Sequence, residues 1–126
     1  MEPQVLIVDD SLLARKQVVQ ALSTAGFAVL QAVDGVEALE QISQHPEIRV
    51  VVTDVHMRRM DGFDLLETAR RTESAQKVSF IILTSETERD LMHRAKLLGA
   101  KGWIVKPFKA DLLVAAVRKL YDTGEG

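Results

Sequence analysis

The chain has 126 residues and contains no cysteine. That absence excludes disulfides, thiolate nucleophiles and thiolate metal sites, so oxygen atoms are the only abundant ligands for a metal ion. The sequence also has no apolar run of membrane-spanning length, and its first residues lack the basic and long apolar regions of a signal peptide. We therefore expect a cytoplasmic protein that does not insert into a membrane.

The chain has little excess charge of either sign. Its 16 basic and 18 acidic residues give a formal net charge of -2. A positive field that would attract nucleic acid or a membrane surface is therefore missing, and we expect protein partners and no direct contact with nucleic acid. Hydrophobic residues make up 47% of the chain, enough for one core. We expect residues 1–126 to form one domain, with residues 122–126 as a polar tail or the start of a linker.

Short apolar runs alternate with segments of helical periodicity along the chain. The runs predict five strands, at residues 5–8, 27–32, 49–53, 78–83 and 102–105. Each is followed by a segment that predicts a helix; Ser11 or Asp10 can cap the first, and Ser85 with Glu88 has capping-box spacing before the fourth. This alternation indicates a doubly wound α/β fold, with a parallel sheet covered by helices on both faces.

Polar side chains follow four of the five predicted strands. They are Asp9 and Asp10 after the first strand, Asp54 after the third, Thr84 at the end of the fourth and Lys106 after the fifth. In an open parallel sheet, ligands bind outside the carboxyl ends of the strands, where the winding reverses. If the strand order is the flavodoxin-like 2-1-3-4-5, the three aspartates share one small volume at that point.

Three neighbouring carboxylates repel one another unless a cation is present. Mg²⁺ suits such a site because it binds through one or two carboxylates, several waters and usually a phosphoryl oxygen. Lys106 would add a positive charge and Thr84 a hydroxyl donor for the oxygens of a phosphoryl group. Asp54 is then the candidate nucleophile, since carboxylates can accept a phosphoryl group covalently.

The chain resembles the receiver domain of two-component response regulators, including chemotaxis regulators. The resemblance spans residues 5–120 and is carried by a set of short motifs in the expected order, none of them specific alone. These are Asp9-Asp10, Asp54, Met60-Asp61-Gly62, Thr84 and Lys106-Pro107.

The resemblance implies the strand order 2-1-3-4-5, which the family shares, and a role in signal transduction. A sensor histidine kinase or phosphotransfer protein would transfer a phosphoryl group to Asp54. Mg²⁺ would be held by Asp10, Asp54 and the backbone carbonyl of His56, with Asp9 assisting. Lys106 would contact the phosphoryl group, and its bond to the following proline is expected to be cis.

The resemblance also implies a switch. Thr84 and an aromatic residue, here Trp103 where tyrosine or phenylalanine is usual, would respond to phosphorylation. Helix 4, strand 5 and helix 5 would then form the surface read by an unknown output protein or domain, or used for dimerisation. We further hypothesise that the side chains of His56 and Glu86 tune the lifetime of the aspartyl phosphate. A second departure is Arg58, which replaces a common proline and predicts a less rigid, more basic loop.

Three other functions compete with this interpretation. A phosphatase of the haloacid dehalogenase type would share the metal, the lysine and the aspartyl phosphate, but its nucleophile follows the first strand in an Asp-x-Asp arrangement that Asp9-Asp10-Ser11 lacks. A nucleotide- or flavin-binding fold would need a glycine-rich phosphate loop, which the first turn lacks. A receiver that acts as a phosphorylation-independent interaction module stays open as the runner-up. We predict no enzyme activity beyond self-directed phosphotransfer and autodephosphorylation.

Overall fold

Five parallel strands form a single sheet in the computed structural model, which describes residues 4–123. The order β2-β1-β3-β4-β5 confirms the predicted 2-1-3-4-5. All four neighbouring pairs are parallel, with Val5 opposite both Val29 and Val50 in the middle of the sheet. The strands are β1 (Gln4–Val8), β2 (Ala28–Ala32), β3 (Ile48–Thr53), β4 (Ser79–Thr84) and β5 (Gly102–Val105).

One α-helix follows each strand, as the periodicity predicted. The polar stretch before β4 also contains a short 3-10 helix at Glu73–Ala75. No helix among residues 4–123 is both long and apolar enough to cross a lipid bilayer. The helices are α1 (Leu12–Thr24), α2 (Gly35–Gln44), α3 (Gly62–Arg70), α4 (Arg89–Leu97) and α5 (Ala110–Thr123).

The sheet separates two hydrophobic layers, because successive side chains of a strand point to opposite faces. Val5 and Ile7 pack with α1 and α5 on one face, whereas Leu6 and Val8 pack with α2, α3 and α4 on the other. The central strand β3 divides in the same way, and Val50, Val51 and Val52 are fully buried. Burial on both faces explains why these strands are continuous apolar runs rather than alternating ones.

Helix starts match the sequence predictions in one case and differ in another. The Ser11 hydroxyl accepts a hydrogen bond from the Ala14 amide at 3.2 Å, so Ser11 caps α1. The predicted capping box at Ser85 is wrong: α4 begins four residues later, at Arg89, after Glu88, whose side chain makes no capping bond. The Ser85 to Glu88 spacing occurs in the loop before the helix instead.

The predicted tail overlaps the last helix. Asp122 lies in α5, which continues to Thr123. Residues 124–126 lie outside the described part of the chain, so the tail or linker stays a prediction for those positions.

Candidate functional site

Backbone hydrogen bonds extend the strand pairing one residue past the ends of β1, β3 and β5. The Asp54 amide donates to the Val8 carbonyl at 3.0 Å, and the Asp9 amide donates to the Ala32 carbonyl at 3.1 Å. The Lys106 amide donates to the Thr84 carbonyl at 2.8 Å. The residues that follow the strands are therefore fixed to the sheet, and their side chains meet at its carboxyl edge.

Lys106 joins the two central carboxylates of this edge. Its ammonium Nζ lies 2.7 Å from Asp9 Oδ2 and 2.9 Å from Asp54 Oδ2. The other carboxylate oxygens accept hydrogen bonds from backbone amides. The Ser11 amide donates to Asp9 Oδ1 at 2.9 Å, and the Val55 amide donates to Asp54 Oδ1 at 2.6 Å. Both carboxylates are thus held in one orientation by charge-assisted hydrogen bonds, which are shorter and stronger than neutral ones.

The environment separates the pKa values of the two carboxyl groups. Burial is the largest influence on both, and it raises the pKa of Asp9 above the ordinary value despite the hydrogen bond from Lys106. For Asp54, burial is outweighed by hydrogen bonds from Lys106 and Thr84, so its pKa lies below the ordinary value. Burial also acts against the charge of Lys106, but its bonds to the two aspartates raise its pKa. Asp54 is therefore ionised at neutral pH, as a nucleophile must be.

Asp10 does not share the Lys106 ion pairs. Its side chain is exposed and lines a cavity of about 290 Å³ together with Val33, Asp34 and Arg58. Among residues 4–123, no group of three or more histidine, aspartate or glutamate side chains could hold a metal ion. The predicted ligand set has only two side chains, Asp10 and Asp54, with the backbone carbonyl of His56, so it stays a prediction.

The donor set nevertheless fits Mg²⁺. Two or three aspartate oxygens and a backbone carbonyl are the hard ligands that this ion prefers, and it needs only one or two carboxylates because it keeps several waters. The side chains alone would not form a closed cage, so a bound ion would remain open to water and to a phosphoryl oxygen.

A second group of predicted residues connects the two loops beside the site. His56 Nε2 and Glu86 Oε2 are 2.6 Å apart, joining the segment after β3 to the segment after β4. The Trp103 indole donates from Nε1 to the Glu86 carbonyl at 3.1 Å. The Glu86 amide faces the buried Thr84 hydroxyl at 3.4 Å. The structure therefore places these four residues in one connected set next to Asp54, Asp9 and Lys106.

The sequence reasoning missed the residues that hold the loop between β3 and α3, residues 54–61. Arg59 forms a bidentate ion pair with Asp34, the N-cap residue of α2. Its φ of 52° is the only positive φ of a non-glycine residue in the described chain. No sequence signal identifies this conformation, but the spacing of Asp34 and Glu37 could have marked Asp34 as a cap, as Glu37 also accepts the Val33 amide at 2.9 Å.

Arg15 was also missed. From the first turns of α1 it donates to the Asp9 carbonyl at 2.7 Å and to Gln31 Oε1 at 3.0 Å. It therefore ties the exit of β1 to the neighbouring strand β2. The bond Lys106-Pro107 is cis, as the family resemblance implied.

Comparison with known proteins agrees with this geometry. The family model of the response regulator receiver domain matches residues 5–118. The chain belongs to this family. A probable chemotaxis protein CheY of Rhizobium etli is 34% identical over 119 residues, which cover 94% of this chain and 92% of that protein.

Solved structures agree with the fold of this receiver domain. The chemotaxis protein CheY4 of Vibrio cholerae has a TM-score of 0.86 and 34% identity, covering 95% of this chain and 99% of that one. A putative response regulator from Chloroflexus aurantiacus has a TM-score of 0.90 and 26% identity, covering 97% and 99%. Receiver domains in general are signalling modules rather than enzymes, and CheY-like ones interact with kinases and output proteins.

Proposed function

We propose that this receiver domain accepts a phosphoryl group on Asp54 from a sensor histidine kinase or a phosphotransfer protein. The observation that carries the proposal is the pair of short bonds from Lys106 Nζ to Asp54 Oδ2 and Asp9 Oδ2, at 2.9 and 2.7 Å. An ionised carboxylate is thereby presented beside a fixed positive charge at the edge of the sheet. Such pre-organised charge is what transfer of a phosphoryl group requires.

In the proposed reaction, an Asp54 carboxylate oxygen attacks the phosphorus of a phosphohistidine. A new O–P bond forms, the P–N bond of the donor breaks, and its electron pair stays on the histidine nitrogen. The Lys106 ammonium then shifts its hydrogen bond from Asp54 to a phosphoryl oxygen. The Thr84 hydroxyl donates to another phosphoryl oxygen. Asp9 keeps the Lys106 ammonium in place because its pair with Lys106 is buried.

The reaction is proposed to depend on Mg²⁺, which receiver domains generally bind. When bound, the ion supplies positive charge that neutralises the phosphoryl oxygens. Asp10, Asp54 and the backbone carbonyl of His56 would hold it. Asp10 is suited to this role because its side chain is exposed rather than engaged in the Lys106 pair.

The face formed by α4, β5 and α5 is proposed as the output surface. Exposed apolar side chains on all three elements support that role: Met92 is 38% exposed, Leu97 67%, Val105 39% and Leu112 56%. The connection from Thr84 through Glu86 to Trp103 supplies a route from the site to β5. Phosphorylation would redirect the buried Thr84 hydroxyl from the Asp54 carboxylate to a phosphoryl oxygen and shift the population of the β4–α4 loop. An output protein would read this face, and the same face would serve a dimer.

His56 and Glu86 are proposed to set the rate of autodephosphorylation. Their side chains meet at 2.6 Å, and the His56 side chain is 66% exposed. They therefore stand beside Asp54 on the side open to water, where the hydrolytic molecule would approach.

We place the whole chain in one cytoplasmic receiver domain, with its last residues as a tail or the start of a linker.

Intact-mass spectrometry tests the central proposal. The protein is incubated with a small acyl phosphate and MgCl₂, with and without a chelator, and compared with Asp54→Asn. We expect one added phosphoryl group on the wild type only when Mg²⁺ is present, and none on Asp54→Asn. Asp90→Asn, which removes the same charge from an exposed position on α4, is the matched control and should be modified like the wild type.

Two outcomes would contradict the proposal. A phosphoryl group on Asp54→Asn would place the acceptor elsewhere. A wild type that stays unmodified with both acyl phosphate and a phosphorylated histidine donor would favour the phosphorylation-independent interaction module.

A further inference from the structure

The loop of residues 54–61 must be held in place if it is to supply a metal ligand from its backbone. This requirement rests on the proposed function, in which the His56 carbonyl binds Mg²⁺. In this chain Arg58 occupies a position where many receivers have a proline, so the loop lacks that source of rigidity. The contacts of the neighbouring Arg59 supply another.

Arg59 binds a carboxylate that is itself fixed. Its Nε donates to Asp34 Oδ2 at 2.8 Å and its Nη2 donates to Asp34 Oδ1 at 3.2 Å. Asp34 is only 4% exposed, and its Oδ1 also accepts the Glu37 amide at 2.9 Å as the cap of α2. A bidentate arginine pair defines both distance and orientation. The guanidinium is therefore joined to the rigid start of a helix.

The backbone around Arg59 is adapted to this contact. Its φ of 52° is a left-handed conformation that glycine and asparagine adopt more readily than arginine. The next residue, Met60, accepts the Gly35 amide at 3.0 Å, and the Met60 side chain occupies the space where a Cβ on Gly35 would lie. The loop and the start of α2 are thus joined by a side-chain pair and by a backbone bond on adjacent residues.

We infer that Arg59 is a positioning residue for Mg²⁺ binding: by clamping the loop to Asp34, it holds the His56 carbonyl where the ion needs it. The simpler alternative is that Arg59 only neutralises the buried charge of Asp34. Arg59→Asn separates the two alternatives. It leaves the Asp34 carboxylate, which lines the same cavity as Asp10, without its counter-ion, so Mg²⁺ binding should not weaken if Arg59 only neutralises that charge and should weaken if Arg59 holds the loop. Asp34→Asn keeps an oxygen to cap α2 but loses the ion pair, so it removes the clamp and the need for neutralisation together.

The experiment is a Mg²⁺ titration of the whole chain followed by amide NMR shifts, for the wild type, Arg59→Asn, Asp34→Asn and the double variant. Asparagine at position 59 tolerates the positive φ and isolates the loss of the guanidinium. We expect each single variant to weaken Mg²⁺ binding about tenfold, the lower end of the loss seen when groups that orient metal ligands are removed. The double variant should be no weaker than the singles, because both remove one interaction.

Arg58→Asn is the matched control. It removes the same charge from the same loop, and no ion pair of Arg58 occurs in the described chain. Because Arg58 lines the same cavity as Asp10, its removal lowers the positive charge beside the proposed ion, so Arg58→Asn should not weaken Mg²⁺ binding, whereas Arg59→Asn should. Hydrogen exchange of amides 55–61 in Mg²⁺-free samples should accelerate in Arg59→Asn and not in Arg58→Asn, while exchange in α5 stays unchanged.

Five results would contradict the positioning role or the clamp on which it depends. Unchanged Mg²⁺ affinity in Arg59→Asn, or an equal loss in Arg58→Asn, overturns the positioning role, and so does Asp34→Asn binding like the wild type. Unchanged loop exchange in Arg59→Asn overturns the clamp itself. A wild type that does not bind Mg²⁺ at all contradicts the proposed function and with it the positioning role, whereas the exchange rates still decide whether Arg59 holds the loop.

Discussion

The loops on the two sides of Asp54 are held in different ways. The β3–α3 loop, residues 54–61, is joined to α2 by the buried Asp34 and by the Met60 carbonyl. The β4–α4 loop, residues 85–88, is exposed for most of its length and precedes a helix without a side-chain cap. Its contacts converge on Glu86, which meets Thr84, Trp103 and His56.

This difference assigns the two loops different tasks. A loop fixed to a buried helix cap can keep ligand atoms in place at little entropic cost, since the ordering has already occurred on folding. A loop held by a few exposed bonds can change its population when a neighbouring group is modified. In the proposed function, the first loop serves chemistry and the second transmits its result.

The largest predicted effect is that of Gly62→Ala, which disturbs the β3–α3 loop. A Cβ at this position would clash with the Asp54 carbonyl oxygen and lie 3.0 Å from Val55 Cα, and neither backbone atom can move without moving the site. We expect a loss of roughly 3 kcal/mol in the free energy of unfolding, at the top of the usual range for overpacking. Urea denaturation measures it.

Gly26→Ala is the control for this prediction. Its φ is +98° but nothing lies within 4 Å of the added Cβ, so only backbone strain is introduced, at a cost of about 1 kcal/mol. Phosphorylation should survive in Gly26→Ala and fall in Gly62→Ala. Equal destabilisation of the two variants would show that the close approach to Asp54 is unimportant.

Trp103→Phe should loosen the second loop and leave the first unchanged. The change removes the indole N–H that donates to the Glu86 carbonyl at 3.1 Å, a bond worth about 1 kcal/mol. Hydrogen exchange should accelerate in residues 85–88 and not in residues 54–61. The comparison between the loops fails if exchange accelerates equally in both.

The smallest predicted effect is a pH dependence of the stability contributed by the ion pair between Arg59 and Asp34. The Arg59 guanidinium lowers the pKa of Asp34 below its ordinary value of 3.8. The ionised form is thus favoured by folding, and its contribution to stability is present above pH 3.8 and lost as the pH falls through the lower, folded-state pKa. Because the Arg59 side chain is 59% exposed, water screens the pair and the contribution is small.

This prediction is measured as the difference in unfolding free energy between the wild type and Asp34→Asn. The difference should be constant near neutral pH and should shrink as the pH falls below 3.8. Asp90→Asn, at an exposed position on α4, should change stability little throughout. A wild-type advantage that grows on acidification would contradict the assigned sign.

Sequence reasoning predicted the five strands, the five helices and the edge at which the polar residues meet. It succeeded because the central strands are buried on both faces, so that Val50, Val51 and Val52 form an unmistakable apolar run. The strand order came in part from the family resemblance. The meeting of Asp54 with Lys106 followed from the rule for open parallel sheets together with the family resemblance. Their roles in phosphoryl transfer remain predictions.

Details set by tertiary contact were not predictable in the same way. The capping-box spacing at Ser85 is a local signal, but the structure keeps that segment in a loop and starts α4 later. The ion pair between Arg59 and Asp34 joins residues 25 positions apart, and the positive φ of Arg59 has no sequence signature. The contrast between the exposed Asp10 and the buried Asp9 was not predictable either, because strand-exit rules place residues at an edge without giving the direction of each side chain.

The bonds of Lys106 also bear on when this site comes into being. They reach Asp9 across 97 positions and Asp54 across 52, so the carboxylates receive their counter-ion only after β5 has joined the sheet. Contacts of such high sequence separation form late, because the intervening chain must first be closed into a loop. During synthesis, a nascent chain exposed only as far as β4 has both aspartates but not their lysine. In the proposed function, a chain exposed only that far could not yet accept a phosphoryl group at this site.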